Sequence, residues 1–306
     1  MSQPRVLFVG SKRMGLRCLE ALVAAAPASL AGVVTLDDRG EPREVHDGFV
    51  AVTAAAGLPL HVVRDRKHFE ELIAAIAPTM CVVVGWFWIV GREALAAVPG
   101  GYYAVHNSLL PRYRGGAPIV WAMMNGEREV GVSLFRLTDG MDDGDVYAQR
   151  ATSVDEHEAI GDVLPRLEAA AVAMLAESYP GLLAGTLPAV PQDHRLATFA
   201  ALRIEEDGAI DWNRPVRAVH DFVRAQSRPY PGAFTLLDGE RLHVWRARPL
   251  DAVYYGTPGQ VASRGPEGVA VICGDHRALL LEEVQLGERE GPAAELVRSL
   301  KTRFPR

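Results

Sequence analysis

The chain has 306 residues, 49% hydrophobic and 23% charged, an ordinary globular composition with enough apolar material for one large domain or two. A formal net charge of −6 argues against a protein whose main work is to coat nucleic acid, although a local basic patch can coexist with it. Cys18, Cys81 and Cys273 are widely spaced, without metal-ligand spacing and too few for a disulfide framework, so Cys18 and Cys81, which lie in apolar runs, read as buried thiols. MSQPRVLFVG enters a strand directly, with no charged-then-apolar leader, and the longest apolar run, near 79–90, is too short to span a bilayer. These features place the chain in a reducing cytoplasm, away from membranes.

In chain order, VLFVG at 6–10 is a short apolar run closed by glycine, the pattern of a buried strand. Leu16, Leu19 and Leu22 then recur at helical spacing within 16–25, and 29–36 reads as a second strand. Helices at 49–56 and 69–76 flank a strand at 58–63. MCVVVG at 80–85 is continuously apolar, as in a strand buried on both faces. A short helix at 92–97 leads to a strand at 102–106. Alternation of this kind predicts a Rossmann-like parallel sheet covered by helices. Ligands in such sheets bind beyond the carboxyl ends of the strands, where 10–15, 85–89 and His106 all fall.

Further on come a helix at 118–125, strands at 130–137 and 146–150, and a long helix at 159–184. GTLPAVPQDHRLA at 185–197 has two prolines and no periodicity, so it reads as linker. Beyond it the texture changes to one helix at 216–224 and short strands at 233–237, 242–247, 259–263, 269–273 and 278–285, which suggest a small β-barrel or sandwich. The expected domains are a catalytic domain at 1–186, a linker at 187–204 and a smaller β-rich, OB-like domain at 205–306.

Four stretches carry groups able to do chemistry. His106 leaves a strand for a loop stiffened by Pro111 and opened by Gly115 and Gly116. Alone, a strand-end histidine is most often a satisfied structural residue; in this setting its imidazole suits a general base. TDGMDDGD places Asp142, Asp143 and Asp145 around Gly144 in a turn. It reads as a solvated acidic turn or as a carboxylate source for His106; it lacks the further acidic ligand of an EF-hand loop. A His–Asp pair with no Ser or Cys nucleophile suits activation of an external nucleophile such as an amine. GSKRMG (Gly10, Ser11, Lys12, Arg13, Met14, Gly15) is neither a Walker A loop nor a dinucleotide fingerprint, yet it precedes a helix N-terminus, where Lys12 and Arg13 either meet an anionic substrate group or stay solvated. GWFWI sets Trp86, Phe87, Trp88 and Ile89 at a strand end, as the wall of a flat heterocycle pocket or as core packing.

His106-Asn107-Ser108-Leu109-Leu110-Pro111, followed by Tyr113, Arg114, Gly115, Ala117 and Pro118, resembles the signature loop of the folate-dependent formyltransferases. Gly140-Met141-Asp142-Asp143-Gly144-Asp145 is similar to that family's acidic loop, and DGAIDW at 207–212 with RPYPGAFT at 228–235 to its C-terminal part. The resemblance covers most of the chain. It implies transfer of a formyl group from 10-formyltetrahydrofolate to a primary amine, leaving tetrahydrofolate, with no metal. The family's Asn, His and Asp fall on Ala104, His106 and Asp142. It further implies that Trp86, Phe87, Trp88 and Ile89, with Thr138, Asp139, Gly140 and Asp142, hold the pterin, and that Ser108, Gly115 and Gly116 shape the loop beside the donor.

Ala104 removes a donor expected to bind the formyl oxygen. A different donor, an Asn→Ala exchange introduced on purpose, altered chemistry, or a folate binder without catalysis each accounts for it. Asn107 replaces the donor only if the strand ends before it, because 104 and 106 share one face. For the acceptor, the linker's single Arg, the acidic total and PYPGAF favour a small amine: a nucleotide-linked amino sugar or an amino-acid or siderophore precursor. Methionyl-tRNA is the alternative. Oligomeric state, a homodimer included, leaves no sequence signal.

Overall fold

Short apolar runs rich in valine alternate with helices through the first half of the chain, and the computed structural model, which describes residues 5–41 and 43–305, folds them accordingly. The elements are β1 (Val6–Gly10), α1 (Lys12–Ala25), β2 (Leu30–Leu36), α2 (His46–Ala56), β3 (Leu60–Val63), α3 (Arg66–Ile76), β4 (Met80–Val84), α4 (Arg92–Ala96), β5 (Tyr102–His106) and β6 (Arg114–Gly115). Then follow α5 (Pro118–Met124), β7 (Glu129–Arg136), β8 (Val146–Ser153), α6 (Ile160–Ala184), β9 (Phe199–Ala200) and α7 (Val216–Arg224). The rest is β10 (Ala233–Leu237), β11 (Glu240–Leu250), β12 (Val261–Gly265), β13 (Gly268–Ile272), β14 (Ala278–Leu286), β15 (Arg289–Pro292) and α8 (Ala293–Leu296). The chain divides into two compact units. One holds the residues through Gly115 with Val130–Thr152 and Pro165–Ala200; the other holds Gly116–Glu129, Ser153–Leu164 and the residues from Ala201 on.

The first unit is built on a seven-stranded sheet of order β3-β2-β1-β4-β5-β7-β8. β1, β2, β3, β4 and β5 pair in parallel, and every residue of β1 and β4 is buried, which is why those runs carry no polar alternation. The sheet is not parallel throughout, since β7 runs antiparallel to β5. Such an edge is common on doubly wound sheets, and β8 beyond it alternates half-buried with exposed positions because one face is open. One core cluster gathers Leu7, Val9, Val34, Phe69, Ile73, Cys81, Val83, Tyr102, Ala104, Leu110 and Phe135. Helices begin earlier than apolar spacing suggests: Asp65 caps α3 by accepting from the His68 N–H at 2.8 Å, which brings Arg66 into the first turn.

Residues 187–200, expected as linker, are hydrogen-bonded into this unit. Val190 exchanges two backbone hydrogen bonds with Val146, of 2.8 and 2.9 Å, and β9 pairs in parallel with β6. Pro188 and Pro191 forbid a helix there but tolerate this extended pairing.

The second unit carries a six-stranded antiparallel sheet of order β10-β11-β14-β13-β12, with β15 on β14. Val216, Val219 and Val223 recur on one face of α7 and join a core cluster with Trp212, Leu242, Val244, Val271 and Leu281. Trp212 stacks on Phe304 with ring centroids 5.8 Å apart. All three cysteines are free and buried, and burial pushes the Cys18 and Cys273 thiols up to about 12 and Cys81 up as well. Among the described residues no helix is long and apolar enough to cross a membrane.

Candidate active site

Three parallel strands deliver their carboxyl ends side by side. Gly10 of β1 lies opposite Val84 of β4, and Val84 lies opposite Val105 of β5, one residue before His106. The first two ends are locked together. The Ser11 N–H donates to the Val84 carbonyl at 3.2 Å, and the Ser11 hydroxyl donates to the Gly85 carbonyl. Gly85 has φ +69°, and a Cβ there would sit 2.3 Å from the Ser11 carbonyl oxygen, so only glycine fits this junction. The rim expected from 10–15, 85–89 and His106 is therefore present in the first unit.

β5 ends at His106, and its imidazole meets two groups. The Nε2 lies 2.8 Å from the Tyr113 carbonyl oxygen, which can only accept, so Nε2 carries the hydrogen. That leaves Nδ1 facing Asp142 Oδ2 at 3.6 Å, with the two side chains 11% and 21% exposed. Phe135 stands edge-on to the ring at 6.2 Å. The TDGMDDGD turn presents Asp142 with φ +47°, and its Oδ2 accepts from the Gly115 N–H at 2.7 Å. The other aspartates of the turn do different work. Asp143 accepts from the Thr138 hydroxyl and closes the turn, while the Asp145 carbonyl accepts from the Arg136 N–H at 2.9 Å. Gly144 is packed where a Cβ would collide with the Arg136 carbonyl oxygen. Asp139 pairs with Arg92 at 2.8 Å on the surface.

The remaining expected residues fall as follows. Ala104 is opposite Val83 and Phe135 in register, 6% exposed, with its methyl in the core cluster beside Leu110. Asn107 lies past the end of β5, free of strand alternation, and its Oδ1 is buried with no hydrogen-bond partner. The Ser108 hydroxyl donates to the Arg112 carbonyl at 2.6 Å and so shapes the loop. Gly115 is in the first unit, whereas Gly116 belongs to the second, where it packs on Leu202. Trp86 packs on Phe69 and edge-on to Trp88, each pair with centroids 5.2 Å apart, so these rings are partly core. Phe87 and Ile89 point outward, 58% and 78% exposed. Trp86 Nε1 is a buried donor without a partner. Lys12 and Arg13, candidates for a ligand's anionic group, meet carboxylates of the protein itself. Lys12 Nζ lies 2.5 Å from Glu41 and 3.5 Å from buried Asp38, and Arg13 Nε lies 3.0 Å from Glu168. Gly10 and Met14 are buried at the same turn.

Sequence reasoning missed the support behind Asp142. Gln192 donates from Nε2 to the carbonyls of Asp142 and Gly144, and buried Arg114 donates to Gln192 Oε1. No periodicity flags a lone glutamine between two prolines and an Asp; the one available signal was a buried-type loop arginine in need of an acceptor.

Comparison with known proteins matches the formyl transferase family over residues 22–178 and the formyl transferase C-terminal domain over 204–301. A methionyl-tRNA formyltransferase of Anaeromyxobacter dehalogenans (strain 2CP-1) is 39% identical over 298 residues, covering 95% of each chain. Another from Solibacter usitatus (strain Ellin6076) is 36% identical over 296 residues, 95% of this chain and 94% of that one. Among solved structures, WlaRD, a sugar 3N-formyl transferase studied with dTDP and 5-N-formyl-THF, aligns with TM-score 0.66 at 11% identity, over 94% of this chain and all of that one. HypX from Aquifex aeolicus, in complex with tetrahydrofolic acid, aligns with TM-score 0.65 at 18% identity over 98% of this chain, which spans 48% of HypX. At such identities the structural likeness shows the fold alone. The two domain matches and the near full-length relatives show that the chain belongs to the formyl transferase family, with both its N-terminal and its C-terminal domains.

Proposed function

We propose that this formyltransferase moves the formyl group of 10-formyltetrahydrofolate to a primary amine, with His106 as the general base and Asp142 as its carboxylate partner. The observation that carries the reading is the pair of contacts at the imidazole: His106 Nε2 lies 2.8 Å from the Tyr113 carbonyl oxygen, which only accepts, and Nδ1 faces Asp142 Oδ2 at 3.6 Å. The Nδ1 takes the proton of the attacking amine, and the carboxylate stabilises the imidazolium that results. The same proton is then available to the departing nitrogen. 10-Formyltetrahydrofolate supplies the carbonyl under attack. Outward-facing Phe87 and Ile89 and the orphaned Trp86 N–H fit a flat heterocycle with hydrogen-bond acceptors, and the 138–142 turn is its proposed second wall. Ala104 offers the carbonyl oxygen no donor; a backbone N–H, water or the Asn107 amide takes that part.

For the acceptor, the relatives support the α-amine of methionyl-tRNA rather than the small amine that the charge pattern suggests. One observation still favours a small amine as second reading. Lys12, Arg13, Arg39 and Arg195 in the first unit, and Arg228, Arg241, Arg246 and Arg248 in the second, are each ion-paired with a carboxylate. A concavity of about 630 Å³ in the second unit is lined by Arg246 together with Glu267, Glu282, Glu283 and Glu290, so its lining cation is already engaged by carboxylates. Labelled formyl transfer to methionyl-tRNA, a nucleotide-linked amino sugar and ornithine decides. Transfer to methionyl-tRNA that weakens steeply with salt supports the first reading. Transfer only to a small amine supports the second. Folate binding with no transfer to any amine overturns both in favour of a binding protein.

A further inference from the structure

After α6, still within the first unit, the chain buries one amide side chain with every polar group in use. Gln192 is 8% exposed. Its Nε2 donates to the Asp142 carbonyl at 2.8 Å and to the Gly144 carbonyl at 2.7 Å. Its Oε1 accepts from Arg114 Nε at 3.2 Å and Nη2 at 2.7 Å. The Arg114 guanidinium is itself buried and lies 3.3 Å from His194 Nδ1. Arg114 sits between the two residues that touch the proton-transfer pair. The Tyr113 carbonyl takes the His106 Nε2–H, and the Gly115 N–H holds Asp142 Oδ2. Asp142 adopts φ +47°, a left-handed backbone that costs a non-glycine residue about 1–2 kcal/mol and persists only where the surroundings hold it. The hold is on the backbone as well as on the carboxylate.

We infer that Gln192 is a positioning residue: clamped by Arg114, its amide pins the 142–144 turn so that the Asp142 carboxylate stays against His106 Nδ1. This rests on the reading of His106 and Asp142 as the pair that handles the proton. The two hydrogens of the amide are both used on carbonyls of the turn, so the turn loses two hydrogen bonds together if that NH2 is lost.

Gln192→Glu tests this. It preserves the acceptor for Arg114, and even strengthens that contact, while removing both donations to the turn. Misplacement of a catalytic group by about 1 Å costs up to ~10²-fold. The expected result is a fall of kcat by roughly 10- to 100-fold with KM for the amine and for 10-formyltetrahydrofolate changed by less than about twofold. In an Asp142→Asn background the same substitution should add nothing further, since the group it positions is gone. An unchanged kcat, a rise in KM alone, or independent multiplication of the two effects overturns the inference. Should the Glu variant not fold, Gln192→Met, of similar length, removes the two donations and the acceptor for Arg114 together, and the same fall in kcat with no addition in the Asp142→Asn background is expected. Amide hydrogen exchange at Gly115, whose N–H holds Asp142, provides a readout that needs no turnover. Faster exchange in the variant supports the clamp and unchanged exchange overturns it, even if the wild-type protein transfers formyl to no amine and the proposed reaction itself falls.

Discussion

On the proposed reading, replacing Ala104 by Asn puts an amide where the carbonyl under attack needs a donor. Residues 104 and 106 lie on the same face of β5, two positions and so about 6.7 Å apart along the strand, a spacing that lets one side chain serve the oxygen while the other serves the amine. A single well-placed donor to a developing oxyanion is worth ~10²–10³ in rate, about 2.7–4 kcal/mol. The opposing term is burial. The Ala104 methyl lies in the core cluster beside Leu110 and Phe135, so an amide there costs about 1–3 kcal/mol while it lacks a partner. The ligand relieves that cost only when bound, so the variant should be less stable without ligand yet faster in turnover. The assay is formyl transfer at saturating 10-formyltetrahydrofolate and amine, beside thermal unfolding of the free protein. Expected are a rise in kcat on the order of 10²-fold and a Tm lower by several degrees. An unchanged kcat, with tetrahydrofolate still bound and stability lowered as expected, refutes the placement of position 104 beside the carbonyl oxygen.

Asp142→Asn keeps the shape of the turn but withdraws the negative charge from His106, and kcat should fall by ~10² or more while the fold by circular dichroism is preserved. Gly85→Ala forces a Cβ against the Ser11 carbonyl oxygen at a positive φ, and a drop in urea-unfolding free energy of about 2 kcal/mol or more is expected, with activity lost in step. Phe69→Ala empties the space beneath Trp86, and the loss should be about 3–5 kcal/mol, together with weaker folate binding because Trp86 leads into the outward-facing segment. In α7, burial holds the His220 imidazole down at about 4. Between that value and about 6.5 the unfolded chain binds the extra proton and the folded one does not, so stability rises with pH through this window. The span corresponds to on the order of 3 kcal/mol, and urea unfolding at pH 5 and pH 7 should show roughly half of that difference in the wild type and little in His220→Gln.

The strands of the first unit were legible because being buried on both faces leaves them no polar positions; the sequence alone located β5 to the residue and β4 to within one. The direction of β7 was not, since an edge strand reads alike whichever way it runs. The second unit's antiparallel strands were legible from their alternation, while β15 and α8, of four residues each, are too short to show a period. His106 and Asp142 were singled out through residue chemistry and family resemblance together, and the structure brings the two side chains within 3.6 Å and adds a contact that no sequence pattern advertises, from Nε2 to the Tyr113 carbonyl. Gln192 was hidden for a related reason. Its partners are two carbonyls and an arginine far off in the chain, and its neighbours are prolines that read as loop.

The role of His106 is tested most directly by single-turnover formyl transfer with His106→Ala, at matched tetrahydrofolate occupancy and with the fold checked by circular dichroism. A rate lower by ~10²–10⁴ with binding intact is the expected result. A rate equal to that of the wild type would contradict the assignment of the imidazole as the group that takes the amine's proton.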